Sequence, residues 1–102
     1  MDLNAARREP LTLPVSFDAA DACFHGHFPG NPVVPGTLIV SLCLEAVRGH
    51  LGRTGALRVR RFSFSRFAAP GAYELRLEER ETDVLCTFSR GGTVFAQGRI
   101  EA

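Results

Sequence analysis

The chain has 102 residues, of which 45% are hydrophobic and 23% are charged, and its formal net charge is +1. This length fits one domain, residues 1–102, with a single core, and the composition excludes a disordered segment. No apolar run reaches the ~18–20 residues needed to cross a bilayer, and the amino terminus lacks the apolar stretch of a signal peptide. Three cysteines argue against a disulfide framework. We therefore expect a cytoplasmic domain with no membrane partner and, since it is not basic, no nucleic-acid partner.

The first predicted element is a strand over Leu11–Phe17, in which the apolar residues alternate. Pro14 cannot donate a ladder hydrogen bond, so it predicts an edge strand or a bulge. Asp18–Gly36 follows as a long loop, because prolines at 29, 32 and 35 exclude regular structure. Loops of this length in a small domain are usually functional.

A buried helix is predicted over Thr37–His50, since this apolar segment is too long for a typical strand. Glycines at 49, 52 and 55 end it. Four polar residues of the helix are spaced by four, four and three positions, which places them on one stripe at ~100° per residue. The stripe consists of Thr37, Ser41, Glu45 and Arg48.

The remainder of the chain reads as four strands, over Leu57–Phe67, Ala72–Arg80, Val84–Arg90 and Thr93–Glu101. Gly91-Gly92 indicates a tight hairpin between the last two strands, and Pro70-Gly71 marks another turn. One apolar helix among antiparallel strands predicts an α+β domain whose sheet covers the helix.

The loop before the helix carries the residues best suited to chemistry. His27 lies in a proline-stiffened segment, nine residues before Gly36. The first amides of a helix have no internal partners and carry the positive end of its dipole. An imidazole held near them pairs a general base with an oxyanion site. The alternative for a lone loop histidine is a purely structural role.

Other polar and aromatic residues receive plainer interpretations. Cys23, His25 and His27 alternate and would point the same way in an extended strand, as zinc ligands do. A fourth ligand is not evident, so we predict no metal site. The remaining interpretations are a solvated helix-end position for His50, small core residues for Cys43 and Cys86, and core packing rather than base stacking for Phe62 and Phe64.

The segment His27-Phe28-Pro29-Gly30-Asn31-Pro32-Val33-Val34-Pro35-Gly36, followed by an apolar helix, resembles the signature of the 3-hydroxyacyl-[acyl-carrier-protein] dehydratases of the FabZ/FabA type. Further along, Arg61-Phe62 through Pro70-Gly71 resembles the strand and turn of that family. The resemblance implies a hotdog fold, in which a sheet of about five strands wraps around the central helix. It also implies a dimer with one continuous sheet and active sites at the interface.

The same resemblance implies residue roles. His27 corresponds to the catalytic histidine, and Gly36 corresponds to the glycine whose amide polarises the thioester carbonyl. Val33 corresponds to the residue whose carbonyl orients the imidazole. No metal or organic cofactor is implied, because the phosphopantetheine arm arrives with the substrate.

The chain departs from the family at the acid. The family places Glu or Asp fourteen residues after the histidine, and here that position is Ser41. A serine hydroxyl is far too weak an acid to replace a carboxyl group unaided. Glu45 lies one helical turn further on the same stripe, so it is either a displaced acid, acting directly or through water held by Ser41, or an ion-pair partner of Arg48. A third possibility is that His27 acts alone.

We therefore expect dehydration, or the reverse hydration, of acyl chains on acyl-carrier protein or coenzyme A in fatty-acid, polyene or polyketide-type synthesis. The alternatives are a non-catalytic acyl-binding subunit, paired with an active homologue, and a hotdog thioesterase. A homodimer is the expected assembly, with a larger or mixed assembly as the alternative. Six arginines and no acidic residue between Ala46 and Tyr73 suit an acidic carrier protein, although they also fit a solvated face.

Overall fold

A computed structural model of the chain describes residues 9–18, 34–53 and 55–101. The elements follow the order β1 (Leu11–Phe17), α1 (Gly36–Leu51), β2 (Arg58–Phe64), β3 (Gly71–Glu79), β4 (Asp83–Arg90) and β5 (Thr93–Glu101). The five strands form one antiparallel sheet in the order β1-β3-β4-β5-β2, and α1 packs on one face of it. This is the predicted α+β hotdog arrangement.

Burial alternates along the strands as a sheet with one covered face requires. In β3, Tyr73, Leu75 and Leu77 point to the helix and are almost fully buried, whereas Arg76 points away and is exposed. The helix contributes four buried residues to the core, namely Ile39, Cys43, Ala46 and Val47. The sheet and the helix therefore share one apolar core.

Cys43 of α1 and Cys86 of β4 meet inside this core, and both are fully buried and free. Hydrogen bonding with Cys86 and burial raise the pKa of the Cys43 thiol far above its usual range. A thiol that stays protonated is a poor nucleophile, so these two residues pack as small apolar groups, as the sequence predicted.

The strand β1 lies at one edge of the sheet, as Pro14 predicted. The strand β2 lies at the other edge and is shorter than the sequence suggested, since it ends at Phe64 rather than Phe67. It is also irregular: Arg61 has a φ of 50°, and the pairing with β5 shifts between Arg60 and Ser63. A bulge of this kind bends an edge strand and redirects its side chains.

The turn between β3 and β4 is closed by an ion pair. The Arg80 side chain donates from Nε to Oδ1 of Asp83 at 2.7 Å and from Nη2 to Oδ2 at 3.0 Å. The Arg80 amide also donates to the Asp83 carbonyl at 2.8 Å. These side-chain hydrogen bonds from Arg80 hold the pKa of Asp83 below its usual range.

Because the Asp83 pKa is lower in the folded chain, its contribution to stability is present above the unfolded value of about 3.9 and is lost as the pH falls below it. We expect Asp83→Asn to lower the free energy of unfolding by roughly 0.5–1 kcal/mol at pH 7, since Arg80 is partly exposed. Urea unfolding at pH 7 and at pH 3 measures this, with Glu81→Gln in the same turn as the control. An equal loss at both pH values would contradict the assignment.

Candidate active site

The helix begins with amide groups that its own backbone does not use. Pro35 precedes it with φ −60° and ψ 136°, and its carbonyl accepts hydrogen bonds from the amides of Leu38 at 3.0 Å and Ile39 at 3.3 Å. The amides of Gly36 and Thr37 come before these bonds and have no acceptor within the helix. The first turn has no acidic residue and no side-chain cap. This end of α1 therefore presents two amide donors and an unneutralised positive dipole to an incoming oxygen.

The start of the helix is fixed to the loop between β2 and β3. The Val34 amide donates to the Ala68 carbonyl at 2.7 Å, and both residues are buried. The loop is held in turn by the Ser65 amide, which donates to the Phe95 carbonyl at 2.9 Å, and by the Tyr73 hydroxyl, which donates to the Ala69 carbonyl at 2.5 Å. These hydrogen bonds therefore fix the position of the amides in the first turn of the helix.

Arg90 secures the same loop from the sheet. Its guanidinium carbon lies 4.3 Å from the centre of the Tyr73 ring, in cation–π geometry. Its Nε donates to the Ala72 carbonyl at 3.1 Å and its Nη2 to the Pro70 carbonyl at 3.4 Å. Sequence reasoning missed Arg90 and Tyr73, because neither belongs to the motif and nothing local predicts which loop they contact.

The predicted polar stripe on the helix is confirmed. All four of its side chains are exposed, on the face turned away from the core; they are Thr37, Ser41, Glu45 and Arg48. Within the described part of the chain, no ion pair joins Glu45 to Arg48, so the structure does not show the neutralising pair that the spacing permitted.

Glu45 faces a cleft of about 400 Å³ between the helix and β1. Apolar residues from both elements line most of it, and Glu45 and His50 are its titratable side chains. Gly36, by contrast, contacts Phe64 at the end of β2. Because β1 and β2 are the opposite edges of the sheet, a single subunit does not bring Glu45 to the Gly36 amide.

Two predicted site residues, His27 and Val33, lie outside the described residues, so their roles stay predictions. The zinc alternative over Cys23, His25 and His27 lies outside them as well. In the ranges that the structure describes, no three His, Cys, Asp or Glu side chains are grouped as a metal site would require. The helix in these ranges does not combine the length and apolar character that a membrane span needs.

The interpretation of Phe62 and Phe64 as core packing is half right. Phe62 is partly buried and lies over Gly98, where a Cβ atom would overlap its ring. Phe64 is 48% exposed and lies against Gly36 instead. The bulge at Arg61 changes which way the end of β2 faces, and the sequence gives no clear signal of it.

Comparison with known proteins agrees with this architecture. Two curated relatives are 3-hydroxyacyl-[acyl-carrier-protein] dehydratases named FabZ. The one from Syntrophomonas wolfei is 41% identical over 58 residues, covering 47% of this chain and 39% of the relative. The one from Acetivibrio thermocellus is 44% identical over 66 residues, covering 54% of this chain and 42% of the relative. The matches thus span about two-fifths of each relative's length.

Two solved structures share the fold. The dehydratase heterocomplex ApeI:P from Xenorhabdus doucetiae matches with a TM-score of 0.80 and 19% identity, over 90% of this chain and 85% of that chain. An N-terminal dehydratase from the difficidin assembly line matches with a TM-score of 0.73 and 11% identity, over 91% of this chain and 38% of that chain. The family model described as ApeI-like, ApeI dehydratase, matches residues 4–99. Since this match covers nearly the whole sequence, the chain belongs to the ApeI-like dehydratase family.

Proposed function

We propose that the chain acts in the cytoplasm as a dehydratase subunit that converts 3-hydroxyacyl thioesters to enoyl thioesters, or catalyses the reverse hydration. The acyl group is carried by acyl-carrier protein or coenzyme A, in fatty-acid, polyene or polyketide-type synthesis. The observation that carries this proposal is the start of α1, where a fixed Gly36 amide faces outward in a chain of a dehydratase family.

In the proposed reaction the thioester carbonyl accepts a hydrogen bond from the Gly36 amide. His27, oriented by the Val33 carbonyl, removes the α-proton, and the electron pair of that C–H bond forms the carbon–carbon double bond. The C–O bond at the β-carbon breaks, and the hydroxyl group leaves as water after it receives a proton. Charge that develops on the carbonyl oxygen is stabilised by the amide and the helix dipole.

The proton donor in this proposal is Glu45 of a second subunit. Within one subunit, Glu45 lies nine residues after Gly36, which is about 13.5 Å along the helix axis, and its side chain is exposed. Ser41 lies between them on the same exposed stripe and holds the water through which the carboxyl group acts. Because Glu45 is far from Gly36 of its own subunit, a second subunit is needed to bring a carboxyl group to the site.

We propose that β2 provides the contact between the two subunits. It is an outer strand, so one row of its backbone donors and acceptors is not used by the sheet. Val59, an apolar residue of this strand, is also 37% exposed. Antiparallel pairing of β2 with a second β2 gives a symmetric dimer with one continuous sheet, and pairing with a homologous chain gives a mixed dimer.

A second candidate function is acyl binding without catalysis. Ser41 stands where the resemblance implies an acid, and the structural relative ApeI:P is a heterocomplex. In that case this chain pairs with an active homologue. It supplies only part of the surface that contacts the acyl group and the amide that binds the carbonyl. Turnover by the purified chain alone distinguishes the two functions.

We also propose a docking surface for the carrier protein. Four exposed arginines lie on β2 and the loop that follows it, and we name them the arginine surface: Arg58, Arg60, Arg61 and Arg66. Arg60 is paired with Glu101 at 2.9 Å. A cluster of one sign beside the site steers an acidic partner and raises its association rate.

The acid and base assignments are tested by turnover of 3-hydroxyacyl thioesters, followed by enoyl absorbance and by free thiol release. We expect His27→Ala and Glu45→Gln each to lower kcat by roughly 10²–10⁴-fold, the usual contribution of general acid–base catalysis. Ser41→Ala should lower kcat less, because this substitution removes only the hydroxyl group that holds the water molecule. Thiol release without enoyl formation would indicate a thioesterase.

Mixing separately purified His27→Ala and Glu45→Gln proteins tests whether the acid crosses the interface. Subunit exchange should restore part of the activity, because one of the two sites in each mixed dimer regains both groups. No restoration, despite exchange seen by mass spectrometry, would contradict the shared site. Turnover that survives Glu45→Gln would exclude Glu45 as the acid.

The arginine surface is tested with Arg58→Glu combined with Arg66→Glu. We expect kcat/KM for a carrier-bound substrate to fall about tenfold or more at low ionic strength, because charge reversal slows association. The same variant should keep its activity on the coenzyme A thioester within about twofold. Arg76→Glu, on β3 and separated from β2 by β4 and β5, is the matched control. An equal loss on both substrates would show that the arginines act on the site itself.

A further inference from the structure

The Phe64 ring lies next to the space in which a side chain of residue 36 would begin. A Cβ atom at Gly36 would lie 3.1 Å from Cζ of Phe64 and 3.2 and 3.5 Å from its two Cε atoms. The backbone does not require glycine there: Gly36 is the first residue of a regular helix, whereas Gly52, at the other end, has a φ of 66°. A larger residue at position 36 would therefore press against the ring.

The ring borders the space in front of the free amide. In a helix the Cα–Cβ bonds tilt toward the amino terminus, and the first amide hydrogens point the same way. An atom packed against the Cβ position of Gly36 consequently stands beside an oxygen bonded to its amide. The ring approaches through Cζ, and the edge of an aromatic ring carries its positive partial charge. It can therefore lie next to an oxyanion without repelling it.

Phe64 is anchored at its backbone and open at one side. Its register partner on β5 is Ala96, and the amide of the next residue, Ser65, donates to the Phe95 carbonyl at 2.9 Å. The Phe62 ring lies beside it, with ring centres 5.7 Å apart and planes 32° apart. Yet 48% of Phe64 is exposed. A fixed aromatic ring with one free side is suited to contact a bound substrate.

We propose that Phe64 is a specificity-determining residue that excludes acyl thioesters with a substituent on the α-carbon. This inference rests on the proposed function, in which the Gly36 amide binds the thioester carbonyl. An oxygen bonded to that amide lies about 2.9 Å from the nitrogen, and the α-carbon is two bonds from the oxygen. An added methyl group on that carbon therefore competes with the Phe64 ring for the same space.

The first test compares 3-hydroxybutyryl-CoA with 2-methyl-3-hydroxybutyryl-CoA. The wild-type protein should prefer the unbranched substrate in kcat/KM by roughly 10–200-fold, the range for one methyl group in a close-fitting site. Phe64→Ala should reduce this preference at least about tenfold. Phe67→Ala is the matched control, since the same residue type lies three positions later and is 85% exposed. An unchanged preference in Phe64→Ala would overturn the proposal.

The second test uses Gly36→Ala, which keeps the amide donor but adds a methyl group against the ring. It should lower kcat/KM for the unbranched substrate, and combining it with Phe64→Ala should recover part of that loss. Such non-additivity is expected of two residues in contact. Thermal unfolding of all three variants separates a folding defect from this effect. Additive losses in well-folded variants would show that the ring does not border the site.

Calorimetric binding of the same two thioesters separates this inference from the proposed reaction. If the wild-type protein binds both thioesters without converting them, the dehydratase proposal fails. The ratio of the two Kd values then still measures the preference for the unbranched thioester over the branched one. If this Kd ratio falls in Phe64→Ala, the result supports the role of Phe64 in excluding the branched thioester. An unchanged ratio overturns that role. Binding of neither thioester contradicts both proposals.

Discussion

The geometry of the proposed site depends on the attachment of the helix start to the loop between β2 and β3. One buried hydrogen bond, from the Val34 amide to the Ala68 carbonyl, joins the two segments at 2.7 Å. The loop is itself tied to the sheet through Tyr73 and Arg90. The free amide of Gly36 is thus part of a rigid frame, and preorganised donors of this kind stabilise developing charge without reorganising during the reaction.

The fold divides the chemistry between the two edges of the sheet. The Gly36 amide, which is proposed to bind the carbonyl, lies beside β2, whereas Glu45 lies beside β1 and about 13.5 Å further along the helix axis. This separation gives a physical reason for a second subunit, because one copy does not bring an oxyanion site and a carboxyl group together. Although Ser41 stands at the position where the family resemblance implies an acid, Glu45 still provides a carboxyl group one turn further along the helix.

Sequence patterns predicted the fold almost completely, and they predicted the site in part. A long apolar segment located the helix, the pair Gly91-Gly92 located the final hairpin, and Pro14 identified β1 as an edge strand. The bulge at Arg61 was not predictable, because a backbone irregularity leaves no trace in alternating residue types. For this reason Phe64 was assigned to the core, whereas the structure places it against Gly36. Long-range contacts such as those of Arg90 depend on topology and are equally invisible in a local pattern.

In the proposed reaction, the Gly36 amide polarises the carbonyl of a bound acyl thioester. Isotope-edited infrared spectroscopy of a bound acyl thioester, carrying ¹³C at the carbonyl carbon, reports that polarisation directly through the carbonyl stretching frequency. The bound ester should show a lower frequency than the free ester in water, because the Gly36 amide and the helix dipole act on the oxygen. A bound ester whose carbonyl frequency equals or exceeds the value in water would contradict it.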